Sequence, residues 1–257
     1  MRIIYADGIG SSDVTDSQSI IYAIVERLIE LNPSWMGSRV IWPASMAAVG
    51  GTKSWTKSSA IGVAYINEIV DEIPDEDLIL LGYSGGNRVI HEWLESHSSK
   101  LDRVSAVGLM SDPWRPQGRN LSVLPRSENW GICGQNPGPI SDRTFWVSVI
   151  GDVISDAKPD ALLRTAADAS DVMPGQFIGD LANHIRIGNL QLMWELKLFF
   201  RKPLVHLSTL EARLNQVRTD VDGYFNGKHT TAYINPYDGG SSLAYRLADA
   251  INDHVHV

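Results

Sequence analysis

The feature that most constrains the fold of this chain is an apolar run, Leu78–Leu81, followed at once by the turn sequence Gly82–Gly86. The turn reads G-Y-S-G-G, which matches the pattern G-x-S-x-G. In that pattern the serine lies on a strained turn between a buried strand and a helix, and the flanking glycines avoid a steric clash. A serine that only caps the following helix is the alternative interpretation. The strand before the turn and the helical pattern after it favour Ser84 as a nucleophile.

Strands and helices alternate around this turn. Short apolar runs predict strands at Ile3–Ala6, Val40–Trp42, Leu78–Leu81, Val104–Met110 and Phe145–Ile150. Apolar residues at helical spacing predict a helix over about 16–31 and a second one that ends near 74. The same spacing predicts helices over about 85–97 and about 241–252. The first of these helices follows a capping-box pattern formed by Thr15 and Gln18. The alternation predicts an α/β fold with a central parallel sheet and helices on both faces.

The pattern changes from Pro159 to about Tyr224 in the 257-residue sequence, where helical periodicity occurs without a convincing strand. We therefore predict one α/β domain, residues 1–158 and 222–257, interrupted by a helical insertion at 159–221. Apolar residues around Phe177–Phe200 either line a groove for a long acyl chain or pack the insertion onto the domain.

Charge and composition exclude several classes of function. The chain has 22 Lys and Arg against 30 Asp and Glu, a net charge of −8, so nucleic-acid binding is disfavoured. Its one cysteine, Cys133, excludes an internal disulfide and a thiolate metal cluster. Neither a P-loop nor a zinc-binding histidine pattern occurs in the sequence. Gly8 and Gly10 begin a dinucleotide-binding motif, but the third glycine of that motif is absent. We expect no metal and no cofactor.

The sequence also lacks signals for membrane insertion or export. Its longest apolar stretches, such as Leu196–Phe200, fall far short of the roughly 20 residues that a bilayer requires. The first seven residues show no long apolar segment of a signal peptide. We expect a soluble protein made in a cytoplasm without a transmembrane segment or an obligate protein partner.

A nucleophilic serine needs a histidine base. Of the seven histidines, His91 and His97 follow the turn on its helix, and His184 and His206 lie in the insertion. The pair at 254 and 256 lies at the chain end, where chains usually fray. His229 lies in a loop between the insertion and the last helix, so it is the expected base, with a loop histidine without function as the alternative.

The acid that orients this histidine is expected at the carboxyl end of a strand, where functional groups gather in open α/β sheets. Asp152 follows the strand that ends at Ile150 through a single glycine, and it is the preferred candidate. Asp156 and Asp112 are the other two candidates. Asp112 also precedes Pro113, and an Asp-Pro pair often begins a turn, so a structural role is the alternative explanation for this aspartate.

An oxyanion in the reaction would need backbone N–H donors. One is expected from Gly85, directly after the nucleophile. The other is expected from the glycine-rich loop after the first strand, at Ile9 or Gly10, although these glycines are also explained by a turn alone.

The order of these features resembles the lysin B proteins of phages that infect mycobacteria. The resemblance covers most of the chain and includes the first-strand loop, Gly82–Gly86, Asp112–Arg115, Gly151–Asp152 and the late His229. It implies an α/β-hydrolase fold close to that of cutinases, with Ser84, Asp152 and His229 as nucleophile, acid and base. Gly85 stands where many of these proteins carry glutamine. Cutinase disulfides are also missing, as expected for a protein made in a reducing cytoplasm.

The resemblance further implies a serine esterase that hydrolyses the ester between mycolic acids and arabinogalactan during phage lysis. The substrate would be a lipid ester or glycolipid of the cell envelope, reached after release of the enzyme from the host cytoplasm. Three alternatives remain at this point. They are an esterase of the cutinase type on other substrates, a mycolyl acyltransferase, and a non-catalytic envelope-binding module.

Overall fold

The computed structural model of the chain describes residues 1–46, 49–122, 124–161, 163–164 and 207–256. Its strands are β1 (Arg2–Ala6), β2 (Met36–Arg39), β3 (Leu78–Tyr83), β4 (Val104–Met110) and β5 (Thr144–Val147). Its helices are α1 (Tyr22–Leu31), α2 (Trp55–Glu72), α3 (Asn87–Ser96), α4 (Leu207–Gly223), α5 (Thr231–Ile234) and α6 (Leu243–Val255). The five strands form one sheet in the order β2-β1-β3-β4-β5, and every neighbouring pair is parallel.

The two faces of the sheet are covered by different helices, because successive side chains of a strand point to opposite faces. In β3, Ile79 and Leu81 pack with apolar residues of α1 and α6. Leu78 and Leu80 pack on the other face with apolar residues of α2 and α3. All four side chains are fully buried, which explains why the run is apolar throughout. The predicted parallel sheet with helices on both faces is confirmed.

Two predicted elements are wrong in position. The second strand occupies Met36–Arg39 instead of Val40–Trp42, because the pairing with β1 ends where the N–H of Val40 bonds to the carbonyl of Tyr5 at 2.9 Å. This strand lies at the sheet edge and is polar and partly exposed, so it carries no apolar signal. The first helix begins at Tyr22, since the backbone of Ser19 is extended after a single helical turn at Asp16–Gln18.

Other bounds differ by a few residues. The strand predicted to end at Ile150 ends at Val147. The helix after the turn begins at Asn87, and the three residues before it form a tight 3₁₀ turn. The strand at Val104–Met110 is confirmed as predicted.

The helical insertion falls mostly outside the described residues, and its bounds at 159–221 stay a prediction. Within the described part, α4 buries Val217 and Val221, two members of an apolar stripe that the sequence predicts. Among the described helices, none has the length and apolar character needed to cross a bilayer.

Candidate active site

The candidate site is built on the turn between β3 and α3. Ser84 has a φ of +51°, a left-handed conformation that residues other than glycine rarely adopt. The turn packs closely against β1, since a Cβ atom on Gly86 would lie 2.3 Å from the carbonyl oxygen of Ala6. The side-chain amide of Asn87 donates to the carbonyl groups of Ser84 and Met110, each at 3.0 Å. These contacts hold the serine in its strained conformation at the carboxyl edge of the sheet.

Three side chains from distant parts of the sequence meet at this edge. The Oγ atom of Ser84 lies 2.8 Å from Nε2 of His229. The other ring nitrogen of His229, Nδ1, lies 3.1 Å from Oδ1 of Asp152. A carboxylate only accepts hydrogen bonds, so Nδ1 carries the proton and Nε2 is free to accept the proton of the serine hydroxyl. The sequence-predicted base, His229, is therefore within hydrogen-bond reach of both the predicted nucleophile and the predicted acid.

The carboxyl group of Asp152 is completely buried and rich in hydrogen bonds. Its Oδ2 atom accepts hydrogen bonds from three hydroxyl groups, those of Ser111, Tyr233 and Ser155. Burial opposes ionisation, but the charge of His229 and the hydrogen bonds from His229, Ser111 and Tyr233 outweigh it and lower the pKa of Asp152. The carboxylate is thus ionised when it orients the imidazole.

The imidazole of His229 is held by two tyrosines. Its ring stacks against those of Tyr83 and Tyr224, with centroids 5.4 and 4.7 Å away, and the hydroxyl of Tyr83 donates to its backbone carbonyl. Burial and then the charge of Asp152 raise the pKa of both tyrosines, so their hydroxyl groups remain protonated. His229 itself follows a single wide helical turn, Tyr224–Lys228, and precedes α5.

The two alternative acids are engaged elsewhere. Asp156 forms a buried ion pair with Arg115, with 3.0 Å between Oδ1 and a guanidinium nitrogen. The Oδ2 atom of Asp112 lies 3.1 Å from Nε2 of His91 and accepts from the indole of Trp146 at 3.0 Å. Burial disfavours the charged form of His91, but the charge of Asp112 outweighs it and raises the pKa of His91. Both carboxyl groups stabilise the surrounding loops and do not contact His229.

The backbone of the loop after β1 approaches the turn of Ser84. The N atom of Ile9 would lie 3.4 Å from a Cβ atom placed on Gly85, and the Ile9 side chain would clash with it. The N–H of Gly10 instead donates to the carbonyl of Ala44 at 2.7 Å. Of the two donors considered in this loop, Ile9 is therefore the one that the geometry favours as the partner of Gly85.

A cavity of about 350 Å³ opens onto Ser84 and His229. Its lining is mainly apolar, with Ile9, Val14, Ile20, Met46, Val49, Trp55, Ile132, Ile154, Leu163 and Tyr224 among the residues. In the ranges that the structure describes, no group of three or more His, Cys, Asp or Glu side chains is placed to hold a metal ion.

Sequence reasoning missed the residues around the acid and the base. Ser111, directly after β4, obeys the same rule that selected Asp152, because both follow the carboxyl end of a strand. A triad acid must be Asp or Glu, so the rule does not select a serine at this position. Tyr83 and Tyr233 carry no sequence signal, since buried tyrosines are common in any core.

The parallel sheet, its two helical layers and the serine at the strand-to-helix turn define the α/β-hydrolase fold. The structure is similar to that of lysin B from Mycobacteriophage D29, with a TM-score of 0.58, 14% sequence identity and coverage of 98% of both chains. This likeness confirms the lysin B-like α/β-hydrolase fold over 98% of the chain.

Two further solved structures are similar over part of the chain. An acetylxylan esterase matches with a TM-score of 0.49 and 16% identity, over 69% of this chain and 92% of that chain. A cutinase from Trichoderma reesei matches with a TM-score of 0.44 and 21% identity, over 66% and 71%. The sequence matches no protein-family model and no curated protein.

Proposed function

We propose that this protein is a serine esterase in which Ser84 is the nucleophile, His229 the base and Asp152 the acid. The observation that carries the proposal is the continuous hydrogen-bonded path from the hydroxyl of Ser84 through the imidazole to a buried carboxylate, at the floor of an apolar cavity. An isolated serine hydroxyl is a weak nucleophile, and this arrangement is what activates it.

The reaction would proceed in two halves. His229 takes the proton of Ser84 as its Oγ attacks the ester carbonyl, and Asp152 stabilises the imidazolium that forms. The N–H groups of Gly85 and Ile9 would stabilise the oxyanion. The alcohol leaves with the proton from His229, and water activated by the same imidazole then releases the acid from the acyl-enzyme.

The substrate we propose is the ester between mycolic acids and arabinogalactan. The lysin B-like fold over the whole chain and the resemblance in sequence support this choice. A mainly apolar cavity that includes Ser84 in its lining suits a lipid acyl group better than a polar one. The protein would reach this substrate in the cell envelope after release from the host cytoplasm.

The first experiment compares hydrolysis of p-nitrophenyl esters by the wild-type protein and by Ser84→Ala. We expect kcat to fall by roughly 10⁴-fold or more, because the loss of the nucleophile removes the acyl-enzyme route. Labelling by a fluorophosphonate probe should disappear in the same variant. Ester hydrolysis that survives Ser84→Ala would refute the proposed nucleophile.

The second experiment identifies by mass spectrometry the lipids released from purified mycolyl-arabinogalactan. Free mycolic acid supports the proposed hydrolysis, and acylated trehalose formed in the presence of trehalose indicates a transferase. Binding to the wall preparation without any product, and without probe labelling, indicates a binding module and contradicts the proposal.

A further inference from the structure

The side chain of Ser111 lies between the acid and the base of the proposed site. Its hydroxyl donates to Oδ2 of Asp152, and its Oγ atom lies 3.0 Å from Nδ1 of His229. Ser111 is completely buried and is not among the residues that line the cavity. It therefore contacts the two groups that support Ser84 without contacting the space that a substrate would occupy.

The direction of these hydrogen bonds is set by chemistry. The single proton of the Ser111 hydroxyl goes to the carboxylate, which only accepts, so a lone pair of Oγ faces the imidazole. The Nδ1–H group of His229 then has two acceptors, Oδ1 of Asp152 at 3.1 Å and Oγ of Ser111 at 3.0 Å. Two acceptors on one side restrict rotation of the ring, and the oxygen also stabilises the imidazolium that forms during attack.

The backbone conformation of Ser111 is an independent reason to assign a function to its side chain. Its φ is +50°, a left-handed conformation that is strained for a residue with a Cβ atom. Glycine adopts this conformation without that strain. Strain of this kind at a buried residue beside candidate catalytic groups points to a functional side chain.

We propose that Ser111 is a positioning residue, which holds the imidazole of His229 and the carboxylate of Asp152 in the orientation that activates Ser84. This inference rests on the proposed esterase function. It predicts that loss of the hydroxyl slows the chemistry and leaves substrate binding unchanged.

The test uses two variants that lack the hydroxyl and differ in backbone strain, Ser111→Ala and Ser111→Gly. For both we expect kcat on p-nitrophenyl esters to fall roughly ten-fold, the typical effect of one hydrogen bond to a charged group. KM should stay within two-fold of wild type, because attack and deacylation use the same imidazole and slow together. The kcat of both variants should fall by the same factor, although Ser111→Gly relieves the backbone strain and Ser111→Ala does not.

The matched control is Ser148→Ala, which also removes a buried hydroxyl near the site. The hydroxyl of Ser148 bonds to that of Ser155 at 2.8 Å, one step away from the carboxylate. We expect its kcat and KM to stay within two-fold of wild type. Equal losses in Ser148→Ala and Ser111→Ala would mean that any buried hydroxyl has this effect, and would overturn the proposal.

Two other outcomes would also overturn it. One is wild-type kcat in either Ser111 variant, and the other is a loss in Ser111→Ala that Ser111→Gly recovers, which would assign the effect to backbone strain. Should the alanine variant fail to fold, the glycine variant still decides the question through its kcat and KM. Failure of the esterase proposal is distinguishable, because there the wild-type protein lacks hydrolysis or Ser84→Ala retains it.

Discussion

At the scale of single residues, the turn of Ser84 depends on how closely backbone segments approach one another. A Cβ atom on Gly86 would lie 2.3 Å from the carbonyl oxygen of Ala6 and 2.5 Å from that of Asp7. These atoms belong to β1 and the segment after it, so they cannot move without disturbing the sheet. The glycine is required by space, and its φ of −68° is one that any residue adopts.

We therefore expect Gly86→Ala to lower the free energy of unfolding by about 3 kcal/mol, through overpacking against fixed backbone. Gly118→Ala is the comparison, since Gly118 has a φ of +70° and open space around its Cβ position. That change should cost about 1 kcal/mol, from backbone strain alone. Urea unfolding of both variants measures the two losses in the free energy of unfolding. Equal losses would contradict the claim that the turn requires glycine for reasons of space.

The proposed nucleophile, acid and base could be predicted from the sequence because each follows a rule about chain position. Ser84 lies in a recognisable turn, and Asp152 follows a strand. His229 is singled out because the sequence pattern places the other histidines on predicted helices or near the chain end. The role proposed for Ser111 could not be predicted, because it depends on a positive φ and on two contacts made across the sheet.

At the scale of elements, the loop between β1 and α1 is held by one arginine from the edge strand. The guanidinium of Arg39 donates to the carbonyl groups of Val14 and Ser11, the latter at 2.9 Å. It also lies 3.7 Å from the buried carboxyl of Asp7. Burial raises the pKa of Asp7, and Arg39 acts against that rise. This loop carries Ile9, so the arginine helps to place the proposed oxyanion donor.

We expect Arg39→Gln to lower the free energy of unfolding by about 2 kcal/mol, because the buried Asp7 loses its compensating charge. It should also lower kcat roughly ten-fold, as the loop loses two anchoring hydrogen bonds. Thermal unfolding and ester hydrolysis measure the two effects.

The control is Arg27→Gln, on α1, where the guanidinium pairs with Glu30 and Asp249 at the surface. Its kcat should match that of wild type. Adding Asp7→Asn to Arg39→Gln should restore part of the lost stability, since the unpaired carboxyl is then absent. A double variant no more stable than the single one would exclude charge compensation as the cause.

Among the elements, the apolar strands were predictable and the polar edge strand β2 was not. An apolar run such as that of β3 reflects burial on both faces, which the sequence records directly. The residues of β2, Met36–Arg39, are half or fully exposed, so only pairing with β1 makes them a strand. The break between Ser19 and Tyr22 is likewise not visible in the sequence, because the capping box of Thr15 and Gln18 begins only the single turn Asp16–Gln18.

At the scale of the whole molecule, the buried carboxylate of Asp152 links the site to overall stability. Its pKa is lowered in the folded state, so its contribution is full above the unfolded pKa of about 3.9 and is lost as the pH falls through the lower folded pKa. The stabilising charge and hydroxyl donors come from His229 and from three hydroxyl groups on separate parts of the chain.

We expect Asp152→Asn to lower Tm at pH 5, where the wild-type carboxylate is ionised. The difference from wild type should shrink as the pH falls below about 4, because the wild-type carboxylate then loses its charge. Circular dichroism melts over this range provide the measurement, and a difference that grows in acid would contradict the lowered pKa.

The placement of β2 and β5 at the two ends of the sheet has a consequence for behaviour at high concentration. Each is only four residues long, and the outer side of β5 is met by the chain at Leu121, whose N–H bonds to the carbonyl of Trp146 at 3.0 Å. Edge strands that are short or already hydrogen-bonded leave few free backbone groups with which a neighbouring molecule could pair. At high concentration, the protein would therefore resist aggregation through edge-to-edge strand pairing, and its apolar strands would remain buried.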